Sequence, residues 1–185
     1  MQIRFHTSLS LLILLASYGC GGGSAEVEMK GAEAAMNEAR NLHADDLAAV
    51  AFQQAQKSWD HAQAAVKEGK MDAAKVIFNT AKTNFNKSAA IAKSKRDALN
   101  RELDGMQLMI SKNLDQVNND LSTKNLSSRQ QTQVRAIVSE VMKDNASVSK
   151  LVNQNDLVKA VATAKGVQTQ IYNAQLILAG QKPAR

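Results

Sequence analysis

The stretch that decides the fold runs from Ala55 to Ala81 and reads AQKSWDHAQAAVKEGKMDAAKVIFNTA. Apolar residues recur every three or four positions on both sides of Gly69, which is the spacing of one face of an amphipathic helix. Glycine readily takes the left-handed conformation that ends a helix, so Gly69-Lys70 is predicted to be a turn. The stretch therefore predicts two antiparallel helices that pack through the following residues: Ala55, Trp59, Ala62, Val66, Met71, Ala74, Phe78 and Ala81.

The same spacing extends over most of the chain, and the composition agrees with it. The 185 residues include one proline, Pro183, and 4% aromatic residues, while alanine is abundant. These features predict an all-α protein. The longest predicted helix runs from Met71 to Leu121 and would be on the order of 75 Å long. We therefore expect an elongated antiparallel helical bundle.

Two architectures accommodate the long helix. In the first, two three-helix bundles share it, with residues 26–95 in one bundle and residues 96–180 in the other. In the second, a single shorter bundle forms and the helix breaks near Lys95-Arg96. No proline interrupts the helix, and Gly105 in its interior costs only about 1 kcal/mol. Residues 181–185 are expected to form a tail.

Local signals mark the other helix ends. The segment from Glu26 to Leu42 is predicted to be a short helix, and Asp45 or Asp46 is the expected N-cap of the next one, because a short side-chain oxygen accepts from free amides. Ser127 followed by Gln130 resembles a capping box. Residues 153–155 are predicted to form a turn between the last two helices.

A shift of 86 residues brings the apolar patterns of the two halves into register. Ala48 then falls on Val134, Phe78 on Ala164 and Phe85 on Ile171. The correspondence fails at Trp59, which falls on Asn145. Common origin and the chance alignment of two similar hairpins both remain open, but either one gives two antiparallel hairpins with similar turns.

The first twenty residues have the order of an export signal. A basic start at residues 1–4 precedes the apolar run Leu9–Ala16, and Gly19 stands directly before Cys20. The run is less than half of the about 20 apolar residues that a membrane-spanning helix needs. Residues 1–19 resemble a bacterial lipoprotein signal, which implies that Cys20 is lipidated and that residues 20–25 are a glycine-rich tether. Ordinary secretory cleavage after Gly19 is the alternative.

Lipidation also accounts for the single cysteine, because an oxidising compartment normally uses cysteines in pairs. The resemblance implies palmitate-type acylation and a bacterial membrane as the partner of the N-terminus. Gly21, which is not Asp, resembles the sorting signal for the outer membrane. The expected location is therefore the cell envelope, at the outer membrane facing the periplasm if the organism is Gram-negative.

The formal net charge of +6 calls for an explanation. An export signal makes nucleic acid an improbable partner. Basic residues without interleaved aromatics are typical of the solvated face of a long helix, but they could also attract anionic headgroups or an acidic envelope protein. The candidate partner-binding face comprises Lys82, Lys93, Lys95, Arg96 and Arg101.

Chemistry-bearing motifs are absent from the sequence. His43 and His61 lie on different predicted helices without carboxylates at ligand spacing, so no metal site is predicted. No nucleophile elbow, phosphate loop or dinucleotide fingerprint occurs, and no enzyme activity or cofactor is expected. Met71, Met106 and Met109 are expected to fill the core. Trp59 is expected to anchor the hairpin.

The Trp59–Phe78 hairpin resembles the alanine-rich hairpin of bacterial envelope lipoproteins, a family described only as a domain of unknown function. The resemblance covers roughly residues 27–95. The spacing of Trp59, Ala62, Ala74, Phe78 and Ala81 is also similar to a tetratricopeptide hairpin. These resemblances imply a non-enzymatic, lipid-anchored module for structure or protein interaction in the envelope. The alternative is a peptide- or lipid-binding accessory protein of an envelope transport or assembly system.

Overall fold

Regular structure follows the apolar stripes closely. The computed structural model describes residues 24–182, and the regular secondary structure in that range is entirely α-helical, which confirms the all-α prediction. Residues 24–182 form six helices: α1 Ala25–Asn41, α2 Ala44–Leu47, α3 Ala49–Lys67, α4 Met71–Thr123, α5 Ser128–Asn153 and α6 Leu157–Leu178. The residues of the signal, and Pro183 to Arg185 of the predicted tail, lie outside the described range.

The hairpin of α3 and α4 forms as its spacing predicts. Gly69 has a φ of +74°, and the amide of Lys70 reaches back to the carbonyl of Ala65 at 2.9 Å. This is the Schellman arrangement that satisfies the last carbonyls of α3. Trp59 is buried and meets Phe78 edge to face, with their ring centroids 5.2 Å apart. The tryptophan therefore joins the two helices.

Helix α4 is continuous through residues 95 and 96, so the architecture with a break at that point is wrong. Its 53 residues correspond to a length of about 80 Å. The helix stays intact because the chain contains no proline before residue 183 and because buried residues follow one side of it in both halves. Ala92 is the last buried residue of its first half and Leu103 is the first of its second half. We call α4 between these two residues the waist.

Two separate clusters of buried residues lie on either side of the waist. The first contains residues from α1 to Ala92 of α4, and the second contains residues from Leu103 of α4 to α6. In the first cluster α4 packs closely on both α1 and α3, which scarcely approach each other. In the second cluster α6 packs closely on both α4 and α5. In each half, therefore, two long helices pack on a central third one, which is α4 in the first half and α6 in the second, and the packing is elongated as predicted.

Helix α1 runs parallel to α4. The side chain of Lys82 on α4 passes over Gly31, and Lys93 lies beside Glu38 and Leu42 near the end of α1. The first residue of α1, Ala25, must then lie near the end of α4 that begins at Met71. The α4–α5 loop and the end of α6 lie at the opposite end of the molecule.

The predicted 86-residue shift also relates the turns. Asn155 has a φ of +62°, like its counterpart Gly69, and the amide of Asp156 donates to the carbonyl of Leu151 at 3.0 Å, as Lys70 does to Ala65. The pattern of close packing agrees as well, because α1, α3 and the first half of α4 correspond to the second half of α4, α5 and α6. The two halves thus share helix order, turn geometry and the position of the central helix.

Three predictions from the sequence are wrong, one about a helix N-cap and two about buried methionines. Neither Asp45 nor Asp46 is an N-cap, because α2 already begins at Ala44 and both carboxylates lie in its first turn, where they face the positive end of the helix. Met71 and Met109 are exposed, at 52% each, whereas Met106 is buried. Met71 begins α4 directly after the hairpin turn. The capping box of Ser127 and Gln130 is confirmed.

Candidate functional site

The candidate lipidation site lies outside the structure that can be described. Cys20 and residues 1–19 precede Ser24, the first described residue. Among residues 24–182, none of the helices has the combined length and hydrophobicity of a membrane-spanning segment. The prediction that a lipid on Cys20 attaches the chain to a membrane remains a prediction.

The five basic residues of the candidate partner-binding face are spread around α4. Lys82 and Lys93 are eleven residues apart and share the side of α4 that meets α1. Lys95 and Arg101 are exposed, and their separation of six residues places them about 120° apart around the helix. Arg96 lies within about 60° of Lys82 and Lys93 around the helix and lines a cavity at the waist. The structure therefore does not bring the five residues together on one surface.

The waist carries a cavity between the two halves of the molecule. Its volume is about 560 Å³, and it is more enclosed than the shallow depressions along the exposed side of α4. Three elements line it: α2 with the residue before it, Arg96 of α4, and the α5–α6 turn with the first residues of α6. We call it the waist cavity. Its volume falls within the range of about 300–1,000 Å³ that is usual for ligand pockets.

Backbone geometry positions both connections that line the waist cavity. His43, before α2, has a φ of +56°, and Asn155, in the α5–α6 turn, has a φ of +62°. They are the two non-glycine residues with positive φ in the described range, and both line this cavity. The carbonyl of His43 accepts from the amides of Asp46 and Leu47, which holds α2 as a compact turn over α4. Histidine and asparagine are among the residues that tolerate this conformation best.

One pair of charged side chains on the rim of the cavity is already satisfied. The Nζ atom of Lys159 donates to Oδ2 of Asp156 at 2.7 Å, and the Lys159 amide donates to Oδ1 of the same carboxylate at 3.3 Å. The Lys159 hydrogen bond lowers the pKa of Asp156 below 3.8. The Asp156 carboxylate raises the pKa of Lys159 above 10.5, with a smaller contribution from Asp46 across the cavity. Asp156 thus caps α6 and binds Lys159.

Two further charges that line the cavity have no such partner. Within residues 24–182, neither the guanidinium of Arg96 nor the carboxylate of Asp46 forms a hydrogen bond or an ion pair with another residue. Arg96 is half-buried on α4, while Asp46 is exposed on α2. Leu47, Leu157 and Val158 provide the aliphatic part of the lining. The cavity therefore offers a cation and an anion that have no direct hydrogen-bonded partner, although Asp46 interacts with Lys159 at longer range, and it offers an apolar wall.

The described residues do not offer a metal centre. No group of three or more His, Cys, Asp or Glu side chains comes together in the range that the structure covers. His61 is exposed on α3, far along the chain from the half-buried His43. The histidines therefore do not form a common site.

The waist cavity was not predicted from the sequence, although one residue of α4 gave a signal for it. Arg96 stands four residues after Ala92 and three before Leu99, so it occupies a position of the core-facing stripe. Because a charged residue is almost never fully buried without a partner, its place in this stripe was a signal that the core is interrupted there. His43, Asp46 and the α5–α6 turn could not have been assigned to the same place, because over 100 residues of sequence separate them.

Comparisons with protein-family models, with curated proteins and with solved structures find no match to this chain.

Proposed function

We propose that this chain is a non-enzymatic helical protein of the bacterial cell envelope that is anchored by a lipid on Cys20 and serves as a structural or protein-interaction module. The observation that carries the proposal is the sequence Ser17-Tyr18-Gly19-Cys20 after a short apolar run, because it supplies both an export signal and an attachment point. Stable anchoring is expected when more than one acyl chain is attached to the same cysteine.

The helical architecture supports a role as a spacer. Ala25 follows the glycine-rich segment and lies near one end of the molecule, so an anchor at Cys20 would attach to that end. Helix α4 would then carry the α4–α5 loop about 80 Å away from it. A long continuous helix with packed helices on one side keeps these two ends apart, which suits a protein that connects partners in the envelope.

Metabolic labelling tests this proposal. The full chain is expressed in a bacterial host with a radioactive or alkyne-tagged palmitate, and the protein is then partitioned in a cloud-point detergent. We expect the wild-type chain to carry the label and to enter the detergent phase. Cys20→Ser should lose the label and move to the aqueous phase, while the matched control Ser24→Ala should behave like the wild type.

Intact mass spectrometry decides against the proposal if the wild-type protein has an unmodified thiol at Cys20 and is recovered from the aqueous phase. Cleavage between Gly19 and Cys20 without acylation would indicate ordinary secretion instead. Either result would leave the helical architecture unchanged but would remove the membrane as a partner.

The waist cavity favours a second candidate function, the binding of a peptide by an accessory protein of the envelope. The cores on either side are filled by buried side chains, so a ligand held between the helices of one bundle is not supported. A ligand at the waist would lie between the two bundles.

A further inference from the structure

We propose that the waist cavity binds a short peptide with free ends, whose carboxylate pairs with Arg96 and whose ammonium group pairs with Asp46. The proposal deepens the second candidate function and does not depend on lipidation of Cys20. It rests on the presence of these two charges, neither of which forms a hydrogen bond or ion pair, in the lining of one cavity, and on the aliphatic residues that line the same cavity.

The two charges select the chemistry of the ligand. The planar guanidinium of Arg96 can donate two parallel hydrogen bonds to a carboxylate, and its half-buried position strengthens them relative to a fully exposed pair. Asp46 approaches the same cavity from α2 and can accept from an ammonium group. Lys159 and Asp156 are bound to each other, so they add little net charge to the site. The ligand should therefore carry one charge of each sign.

The aliphatic lining selects what lies between those charges. Leu47 comes from α2, while Leu157 and Val158 come from the start of α6. Small apolar side chains on the ligand would contact this wall, and a cavity of about 560 Å³ has room for a peptide of a few residues. A simple anion such as inorganic phosphate would leave both Asp46 and the aliphatic wall without a partner.

Binding would also connect the two halves of the molecule. Asp46 and Leu47 belong to the side of the first core, and Leu157 belongs to the second core. A ligand that contacts both would stabilise their relative position at the waist, where α4 provides the continuous connection. Because the ligand would bind the folded chain only, it should raise the thermal midpoint of unfolding increasingly as its concentration exceeds its dissociation constant.

The probe is tri-alanine with free ends, titrated into the full chain at low salt and followed by amide chemical shifts. The chain is taken from the fraction, membrane or soluble, in which the labelling experiment finds it. Two capped peptides serve as comparisons: N-acetyl-tri-alanine lacks the ammonium group, and tri-alanine amide lacks the carboxylate. We expect each capped peptide to bind about tenfold more weakly than tri-alanine.

Two variants assign the charges separately. Arg96→Gln should weaken tri-alanine binding about tenfold and remove the preference for tri-alanine over its amide. Asp46→Asn should also weaken tri-alanine binding about tenfold, and it should remove the preference for tri-alanine over N-acetyl-tri-alanine. The matched controls are Arg101→Gln and Asp97→Asn, which change exposed charges on α4 outside the cavity and should leave both preferences intact.

Thermal melts followed by circular dichroism check that each variant folds. If Arg96→Gln unfolds, Arg96→Lys keeps the positive charge but loses the forked donor, and should still weaken binding. The proposal is overturned if tri-alanine shows no saturable binding, if the capped peptides bind equally well, or if the cavity variants behave like their controls. Binding of inorganic phosphate without binding of tri-alanine would identify an anion site and would likewise overturn it.

Discussion

The side-chain amide of Asn84 on α4 donates to the hydroxyl of Ser58 on α3 at 3.3 Å. A shift of 86 residues along the chain relates this pair to Gln170 on α6 and Asp144 on α5, whose side chains are joined in the same way at 3.0 Å. Both hydrogen bonds connect the central helix of one half to the antiparallel helix before it. The polar contact is thus repeated along with the hairpin turns.

The repeat implies that corresponding positions in the two halves contribute to the same part of the core even where the residues differ. Aromatic rings at Trp59 and Phe78 fill the first core, whereas Asn145 and Ala164 stand at the corresponding places in the second. The second core compensates with aliphatic residues on α6, which has nine buried positions compared with three on α5. The first core therefore depends on its aromatic contacts more than the second does.

Trp59→Ala should destabilise the protein by about 3–5 kcal/mol, because it removes a large buried side chain and its edge-to-face contact with Phe78. Trp59→Phe keeps a ring in place and should cost less. Urea unfolding followed by circular dichroism measures both variants. A loss of less than about 1 kcal/mol for the alanine variant would mean that the tryptophan does not anchor the hairpin.

Much of this fold can be predicted from the sequence, because apolar spacing determines which residues a helix buries. The stripe through Ala74, Phe78, Ala81 and Phe85 predicted one side of α4 correctly, and Gly69 predicted the hairpin turn. The capping box at Ser127 could be predicted because its two hydrogen bonds join residues that are only three positions apart. The absence of proline and the apolar stripe allowed a continuous α4, but a break near Lys95-Arg96 stayed open until the structure showed one helix from Met71 to Thr123.

Other features depend on contacts that spacing does not encode. The separate turn α2 arises from the positive φ at His43, a conformation that a histidine permits but does not require. Met109 is an apolar residue that the sequence predicted to lie in the core, but it is exposed in the folded chain. The waist cavity combines Arg96 with residues near positions 46 and 157, so it exists only once both halves are folded.

Ser94→Pro should bend the molecule at the waist, between its two halves. Ser94 is exposed at the waist, and a proline there removes an α4 hydrogen bond and clashes with the preceding turn, at a cost of about 3 kcal/mol or more. We expect a kink that shortens the maximum dimension measured by small-angle X-ray scattering. Ser94→Ala is the control and should keep the wild-type dimension. An unchanged dimension in the proline variant would contradict a continuous α4.

Replacement of glycine by alanine should raise the free energy of unfolding at one position, Gly105, and lower it at another, Gly69. Gly105 lies in the interior of α4 with open space where a side chain would begin, so Gly105→Ala should stabilise the protein by up to about 1 kcal/mol. Gly69 has a φ of +74°, and Gly69→Ala should destabilise it by about 1–2 kcal/mol. Thermal melts of both variants provide the measurement. A stabilising Gly69→Ala would be incompatible with the left-handed turn.

The turn at Asn155 allows a complementary test. Its φ of +62° is one that glycine adopts without strain, and its counterpart in the first half is Gly69. Asn155→Gly should therefore be close to neutral in urea unfolding, whereas Asn155→Val should be clearly destabilising because a β-branched side chain clashes in this conformation. Equal stabilities of the glycine and valine variants would show that the residue does not need positive φ.

Stability should fall on acidification through Asp156. The hydrogen bond from Lys159 lowers the pKa of this carboxyl below 3.8, so the ionised form is favoured more in the folded chain than in the unfolded one. Its contribution is therefore fully present above the unfolded pKa and is lost as the pH falls through the lower, folded pKa. Asp156→Asn keeps a capping oxygen but removes the charge, so urea midpoints of the wild type and this variant should differ at pH 7 and converge in acid.

Repeating the comparison in a Lys159→Gln background should shrink the difference at pH 7, because the largest cause of the pKa shift of Asp156 is then absent. A pH-independent difference would mean that Asp156 acts through its cap alone.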